Sequence, residues 1–236
     1  MTPPPGYVAY GGSSQGAFGS FQRVGGVGRT IGILMMIFIP LQIISTIVLL
    51  SIRGKAQDYL NGSISQSEFE DSSQLTGLTG LLSFAIFVAL IVLTMVWMFR
   101  LAKNAKAMER VGTWTPGWAI GGWFLPPFAL YVLPYLMLRD LWKASEPESN
   151  YDWRRNPVAP IVHIWWVLYG LLPIAFFSVT FASFRVSSST RDLAKTLDDT
   201  FALSVASGLV QIMASVSYLV LVRQLTARHM QVTGER

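Results

Sequence analysis

The sequence predicts an all-α integral membrane protein with four transmembrane helices and a Trp/Pro-rich re-entrant or interfacial element between helices 2 and 3. Its 236 residues are 52% hydrophobic and 13% charged, with a mean hydropathy of +0.45, which is too apolar for a soluble domain of this length. Uncharged apolar runs at 31–52, 78–99, 161–184 and 201–222 are each long enough to cross a hydrocarbon core of about 30 Å. A further apolar segment, 114–142, is interrupted by glycine and proline.

The chain opens with a leader, residues 1–29, which holds eight Gly and three Pro. Its apolar side chains are too few to offset the entropy that ordering would cost. We expect a disordered cytoplasmic leader, with partner binding through its scattered tyrosines and phenylalanines as the alternative. The membrane domain then covers 30–230, and residues 231–236 form a C-terminal tail.

Two of the predicted spans carry a polar face. Pro40 lies in the middle of the first span and is expected to kink it. Because small and polar residues on one stripe let helices approach closely, we expect both faces to meet other helices. The residues that share these faces are Gln42, Ser45 and Thr46 in the first span, and Ser204, Ser207, Gly208, Gln211, Ser215 and Tyr218 in the fourth.

Polar segments separate the spans. Residues 53–76 and 185–199 are rich in acidic side chains, and residues 143–160 are polar and punctuated by proline. We interpret all three as loops.

A basic stripe follows the second span, where the helix is expected to continue. Its four cations fall within about 120° on a helical wheel, with apolar residues opposite them. Flanking charge of the kind found beside most spans accounts for such a stripe, and a site for anionic lipid headgroups is the sharper alternative. The four residues are Arg100, Lys103, Lys106 and Arg110.

Charge counting decides how the central segment is placed. If 114–142 crosses the membrane, Lys and Arg divide nine to nine between the two sides. If it enters and leaves on one side, they divide thirteen to five, which obeys the positive-inside rule. All eight Trp then lie near the cytoplasmic side, where indole rings favour the headgroup layer. Both chain termini are therefore expected in the cytoplasm of a cell with this protein in its plasma (inner) membrane.

No catalytic constellation is present in the sequence. The chain has no cysteine and two histidines, His163 and His229, without a third ligand or a carboxylate nearby in the sequence. The phosphate-loop, dinucleotide, serine-elbow and HExxH motifs are absent. We predict no catalytic residues, no metal site, no cofactor and no nucleic-acid partner, so the protein is not expected to be an enzyme.

Several motifs resemble those of a known family. The sequence RLAKN ends at Asn104, PGWAIGGWFLPP follows, and a Pro134–Tyr135 pair precedes LRDLWKAS. Together with the Trp165–Trp166 pair, this pattern resembles the actinobacterial membrane proteins grouped as domain of unknown function 4328. The resemblance covers roughly residues 31–230 and implies a bacterial inner-membrane protein of about four spans, without an activity or functional residues.

We expect a non-enzymatic accessory or scaffold protein that binds a membrane-protein partner or anionic lipid at the inner face of the membrane. The alternative is a small transporter or channel for a neutral solute, lined by Gln42, Ser45, Ser204, Ser207, Gln211 and Ser215. The candidate lipid-binding or partner-binding residues are Arg100, Lys103, Asn104, Lys106, Arg110, Trp118, Trp123, Pro126, Pro127, Arg139 and Trp142.

Overall fold

The computed structural model describes residues 21–110, 114–124, 127–147, 152–170 and 189–235. All regular structure within these ranges is helical, which confirms the predicted all-α class. The helices are α1 (Gly25–Leu60), α2 (Gln66–Ala107), α3 (Trp118–Gly121), α4 (Pro127–Ala144), α5 (residues 160–170), α6 (Thr190–Asp199) and α7 (Phe201–Thr233), with 3-10 turns at Gly122–Phe124 and Trp153–Arg155.

Three helices in the described part of the chain are long and apolar enough to cross a membrane: α1, α2 and α7. They contain 36, 42 and 33 residues. At 1.5 Å per residue these lengths correspond to about 54, 63 and 50 Å, which exceed a hydrocarbon core of about 30 Å. Each helix is therefore longer than a crossing of that thickness requires. Of the predicted third span, residues 161–170 belong to α5, and residues 171–184 lie outside the described residues.

The prediction of a loop at 53–76 is wrong for most of its length. Helix α1 continues to Leu60 and α2 begins at Gln66, so only a short turn separates them. The turn ends in a capping box, in which the Ser65 hydroxyl accepts a hydrogen bond from the Glu68 N–H and the Glu68 carboxylate accepts one from the Ser65 N–H. Because this arrangement satisfies N–H groups at the start of α2, the polar sequence continues as helix.

The prediction of a loop at 185–199 is also wrong from Thr190 onward, where α6 begins. Its first turn is capped by the Ser189 hydroxyl, which accepts a hydrogen bond from the Asp192 N–H. Ala194 on α6 packs with Ala56 and Phe69, and all three are fully buried. A small apolar cluster therefore holds the ends of α1, α2 and α6 together outside the main core.

Helix α1 starts inside the predicted leader. Residues 1–20 of the leader lie outside the described residues, but Gly25 and the four residues after it are helical. The N–H groups of Val24 and Gly25 donate to the carboxylate of Glu235 at 2.8 and 3.0 Å. A carboxylate at a helix N-terminus satisfies N–H groups that have no partner within the helix. The end of the chain thus stabilises the start of α1.

The main core lies where α2, α4 and α7 meet. Its largest fully buried side chains include Trp97, Leu101, Leu138, Leu221 and Leu225. Helix α1 packs against α7 at two glycines: Gly28 lies beside Thr226, and Gly208 lies beside Thr46. Thr46 and Gly208, one member of each predicted polar face, therefore lie in the contact between these helices.

The central segment follows a folded path. Trp114 lines a small pocket together with Lys106 and Ala144, close to the ends of α2 and α4. Farther along, Trp123 makes an edge contact with Tyr169 of α5, and Tyr131 of α4 stacks on Tyr169 with ring centroids 6.2 Å apart. Helix α4 then returns toward the end of α2.

One end of the helix bundle collects cations, and we call it the basic end. The start of α1, the end of α2, the end of α4 and the end of α7 meet there. The basic side chains at this end include Arg23, Arg29, Arg100, Lys103, Lys106, Arg110, Arg223 and Arg228. At the opposite end, the residues in 53–71 and 189–199 include seven carboxylates and four cations.

Candidate functional site at the basic end

A buried polar network joins four parts of the chain at the basic end. The Asn104 side-chain amide donates to His229 Nε2 at 3.0 Å and to the Gln22 carbonyl at 2.8 Å. Its oxygen accepts from the Gln22 N–H at 2.7 Å, and His229 Nδ1 lies 2.8 Å from the Ser145 hydroxyl. Asn104, Ser145 and His229 are almost completely buried. The network therefore fixes the segment before α1 against α2, α4 and α7.

The hydrogen bonds define the protonation state of His229. Because the Asn104 amide donates to Nε2, that nitrogen must be an acceptor, and the ring proton lies on Nδ1, which donates to the Ser145 hydroxyl. That hydroxyl in turn donates to the Leu141 carbonyl at 2.8 Å. His229 lies two turns beyond Val222, the last residue of the uncharged run of α7. Burial, followed by the nearby charge of Arg110, lowers the pKa of His229 to about 4.

The predicted basic stripe divides into two pairs of side chains. Arg110 turns toward the protein and donates to the carbonyls of Ala144 and Glu146, both at 2.9 Å. Arg100 donates to the Arg23 carbonyl at 2.7 Å. Lys103 and Lys106, by contrast, are exposed. The two arginines therefore join chain segments, whereas the two lysines present their charge at the surface.

An ion pair links α7 to the end of α4. Arg228 forms a salt bridge with Glu146, and its guanidinium lies over the Trp142 ring, 4.7 Å from the ring centroid. A cation over an indole face gains electrostatic stabilisation when the pair is partly desolvated. The charge of Arg228 is therefore paired within the protein. Trp142 belongs to the main core.

The remaining predicted site residues have different surroundings. Trp118 is 41% exposed and makes an edge contact with Trp114, whereas Trp123 is half-buried against Tyr169. Arg139 pairs with the adjacent Asp140 at 3.5 Å. Pro126 lies outside the described residues, and Pro127 begins α4.

The predicted polar faces lie within or beside helix contacts. Gln42, on α1, and Ser215, on α7, are buried, while Ser45, Ser204, Ser207 and Gln211 are half-buried. The Thr46 hydroxyl donates to the Gln42 carbonyl at 2.9 Å. The structure thus brings the two faces near one another along the contact between α1 and α7.

Sequence reasoning missed the residues that tie the basic end together: Gln22, Ser145, His229 and Glu235. Three of them lie in segments interpreted as leader, loop or tail, where no helical pattern marks a buried position. The position of Ser145 and His229 near the cationic ends of α4 and α7 could have marked them as candidates. Polar side chains at a helix end can reach the ends of neighbouring helices. Pairing them with Asn104 required the three-dimensional arrangement.

Comparison with known proteins identifies the family. No curated protein and no solved structure matches the chain. A family model described as Domain of unknown function (DUF4328) matches residues 61–227, which include α2, the central segment and most of α7. The match covers more than half of the sequence, and the chain is therefore a member of the DUF4328 family.

Proposed function

We propose that this protein is a non-enzymatic membrane scaffold whose basic end binds the anionic headgroups of one bilayer leaflet. The observation that carries this proposal is the position of exposed cations directly beyond an exposed apolar surface. On α1, Arg29 is one turn from Ile33, which is 49% exposed. On α7, Arg223 is two turns from Val216, which is also exposed. Apolar side chains next to cations match the boundary between hydrocarbon and phosphate.

The exposed apolar surface extends along all three long helices. Contiguous exposed apolar area of this kind is unusual on a soluble monomer and is expected where lipid is the solvent. Its members include Ile37, Ile44 and Ile47 on α1, Leu81, Phe84 and Val92 on α2, and Leu209 and Met213 on α7.

The course of the chain supports four crossings. Gln22 and Glu235, near the two ends of the described chain, both lie at the basic end, so the number of crossings between them is even. Helix α2 ends at the basic end, while α6 lies at the opposite end through a 2.9 Å ion pair between Arg53 and Asp198. The chain between the end of α2 and the start of α6 must therefore cross once. Together with α1, α2 and α7, this gives four crossings.

The same reasoning supports a re-entrant central segment. Trp114 lies near the ends of α2 and α4, Trp123 and Tyr131 contact Tyr169 of α5, and Ala144 is again at the basic end. The segment therefore enters from the basic end and returns to it. The second half of α4, including Leu138 and Leu141, is buried inside the protein, where interrupted backbone is tolerated at membrane depth.

We place the basic end on the cytoplasmic side of the plasma membrane, because Lys and Arg accumulate on that side of multi-pass proteins. The described opposite end agrees with this orientation, since residues 53–71 and 189–199 hold four Lys and Arg, fewer than the basic end. A neutral-solute pore lined by Gln42 and Gln211 is the alternative, but the close contact between Thr46 and Gly208 favours helix packing on these faces.

Lipid enrichment tests the proposal. The purified full chain is reconstituted into vesicles of phosphatidylglycerol and phosphatidylcholine and extracted with a polymer that retains surrounding lipid. We expect phosphatidylglycerol to be enriched around the protein, and K103Q/K106Q to reduce the enrichment, because each surface cation contributes about 1 kcal/mol of attraction to anionic lipid.

R191Q/K195Q is the matched control, because it removes two exposed cations from the opposite end. It is expected to leave the enrichment unchanged, because carboxylates outnumber cations at that end and already repel anionic headgroups there. Equal enrichment in the wild type and K103Q/K106Q, at low and at high salt, would contradict binding through the basic end.

A further inference from the structure

An open groove of about 550 Å³ lies between the first turns of α1 and the last turns of α7 at the basic end. Glycines form one wall, because Gly25, Gly26, Gly28 and Gly32 follow one another along α1. A Cβ at Gly28 would lie 2.5 Å from the Thr226 hydroxyl, whereas one at Gly26 would meet nothing within 4 Å. Gly28 therefore permits the close helix contact at the floor, and the absence of a side chain at Gly26 keeps the groove open.

Four guanidinium groups line the groove, and they outnumber its carboxylates. The arginines are Arg23, Arg29, Arg100 and Arg223, and the one carboxylate among the lining residues is Glu235. Both oxygens of Glu235 already accept from the backbone N–H groups at the start of α1. The groove therefore keeps an excess of positive charge.

The contact made by Arg223 indicates that the groove lacks a strong hydrogen-bond acceptor for this guanidinium. Its Nη2 lies 3.4 Å from the Met36 sulfur, which is a weak acceptor for a guanidinium. Phosphate oxygens are the acceptors that the planar guanidinium fork prefers. An anion with phosphate chemistry in the groove would give Arg223 the partner that methionine cannot supply.

The groove opens onto the apolar surface of α1. Ile33 and Met36 line it and are 49% and 48% exposed, and Ile37 continues the same surface with 51% exposure. A ligand that fills both regions must carry a phosphate group at one end and a hydrocarbon chain at the other.

We infer that this groove binds one anionic phospholipid, with its phosphate between Arg29 and Arg223 and an acyl chain along Ile33 and Met36. The inference rests on the proposed function for the placement of the basic end at headgroup level. It differs from the diffuse attraction assigned to Lys103 and Lys106, because it requires one lipid in one site, held during purification.

Native mass spectrometry of the full chain in mild detergent tests the groove. Phosphatidylglycerol, phosphatidylcholine and inorganic phosphate are titrated separately. We expect a single tightly held phosphatidylglycerol and much weaker phosphatidylcholine binding. R29Q/R223Q should weaken the phosphatidylglycerol adduct about tenfold or more, because charge-assisted hydrogen bonds to the phosphate are lost. G26L should weaken it too, by filling the groove while every arginine remains.

The controls separate this inference from the proposed function. K103Q/K106Q lies outside the groove and should keep the single adduct while losing the general lipid enrichment. An adduct unchanged by both R29Q/R223Q and G26L would overturn the groove site and leave the proposed function standing. Two other results would also overturn it: displacement of the lipid by millimolar inorganic phosphate alone, and retention of a stoichiometric polypeptide instead of a lipid.

Discussion

Gly28 and Gly26 offer a paired test of how α1 packs against α7. The two glycines lie in the same turn of the same helix, but their surroundings differ. A Cβ at Gly28 would lie 2.5 Å from Thr226 Oγ1 and 2.9 Å from Thr226 Cγ2, whereas a Cβ at Gly26 would have no neighbour within 4 Å. We therefore expect G28A to destabilise the protein and G26A to leave it unchanged or stabilise it.

The magnitude follows from three effects at Gly28. Alanine in a helix is favoured over glycine by about 0.5–1 kcal/mol, and this gain applies at both positions. Overpacking of a close contact costs about 1–3 kcal/mol. Thr226 cannot rotate away freely, because its hydroxyl accepts a hydrogen bond from Trp97 Nε1 at 3.0 Å, and losing that bond costs about 0.5–1.5 kcal/mol. The net expectation for G28A is a loss of about 0.5–4 kcal/mol.

Thermal unfolding of the purified protein in one detergent, followed by near-ultraviolet circular dichroism of the tryptophans, measures the difference. The double variant G28A/T226A removes the obstructing side chain and should recover stability relative to the sum of the two single variants. Equal unfolding temperatures for G28A and G26A would refute the close contact between the two helices.

Two further predictions concern the buried network and the aromatic contact between α4 and α5. Folding lowers the pKa of His229 from 6.5 to about 4, so the contribution of the neutral ring to stability is complete above about pH 6.5 and is lost as the pH falls toward 4. The unfolding temperature of the wild type should therefore drop between these pH values. H229Q should show a smaller drop. An unchanged slope in H229Q would exclude His229 as the group responsible. A Cβ at Gly170 would collide with the Tyr131 ring, so G170A should lower the unfolding temperature. G170A/Y131A should lower it less than the two single losses combined. Additive losses would contradict that contact.

The sequence predicted the helical class and the long apolar helices because both depend on local composition. A long uncharged run is the pattern expected of a helix that crosses a bilayer, and the thickness of the bilayer sets the length of the run. The helical continuation beyond Phe99 was also predictable, since the cations of the stripe repeat at helical spacing. In the structure α2 continues to Ala107, with Leu101 and Ala105 buried opposite the lysines.

Two polar segments that the sequence predicted as loops fold largely as helix. Charged residues from Arg53 onward looked like a loop, yet the capping box at Ser65 and Glu68 was readable in the sequence and would have placed the start of α2 correctly. Helix α6 is harder to recognise, because its stability depends on packing Ala194 against Phe69 across more than a hundred residues of chain. Contacts between distant segments carry no local pattern.

The sequence predicted which cations belong to the candidate site, but it did not predict how their side chains are arranged. The cations of the stripe were identified, but the sequence could not distinguish Arg110, which binds carbonyls of the α4 end, from Lys106, which stays exposed. Helical spacing gives the direction of a side chain and does not give its partner. The groove depends on Arg29 and Arg223 coming together from opposite ends of the chain, which no sequence window contains.

We propose that the basic end lies at the cytoplasmic face of the membrane, and the accessibility of single cysteines tests this placement. The chain has no cysteine, so single cysteines report without background. Ala107 at the basic end and Asn61 at the opposite end are both exposed. With a membrane-impermeant maleimide, we expect N61C to be labelled on intact cells and A107C to be labelled only after lysis. Labelling of A107C in intact cells would contradict it.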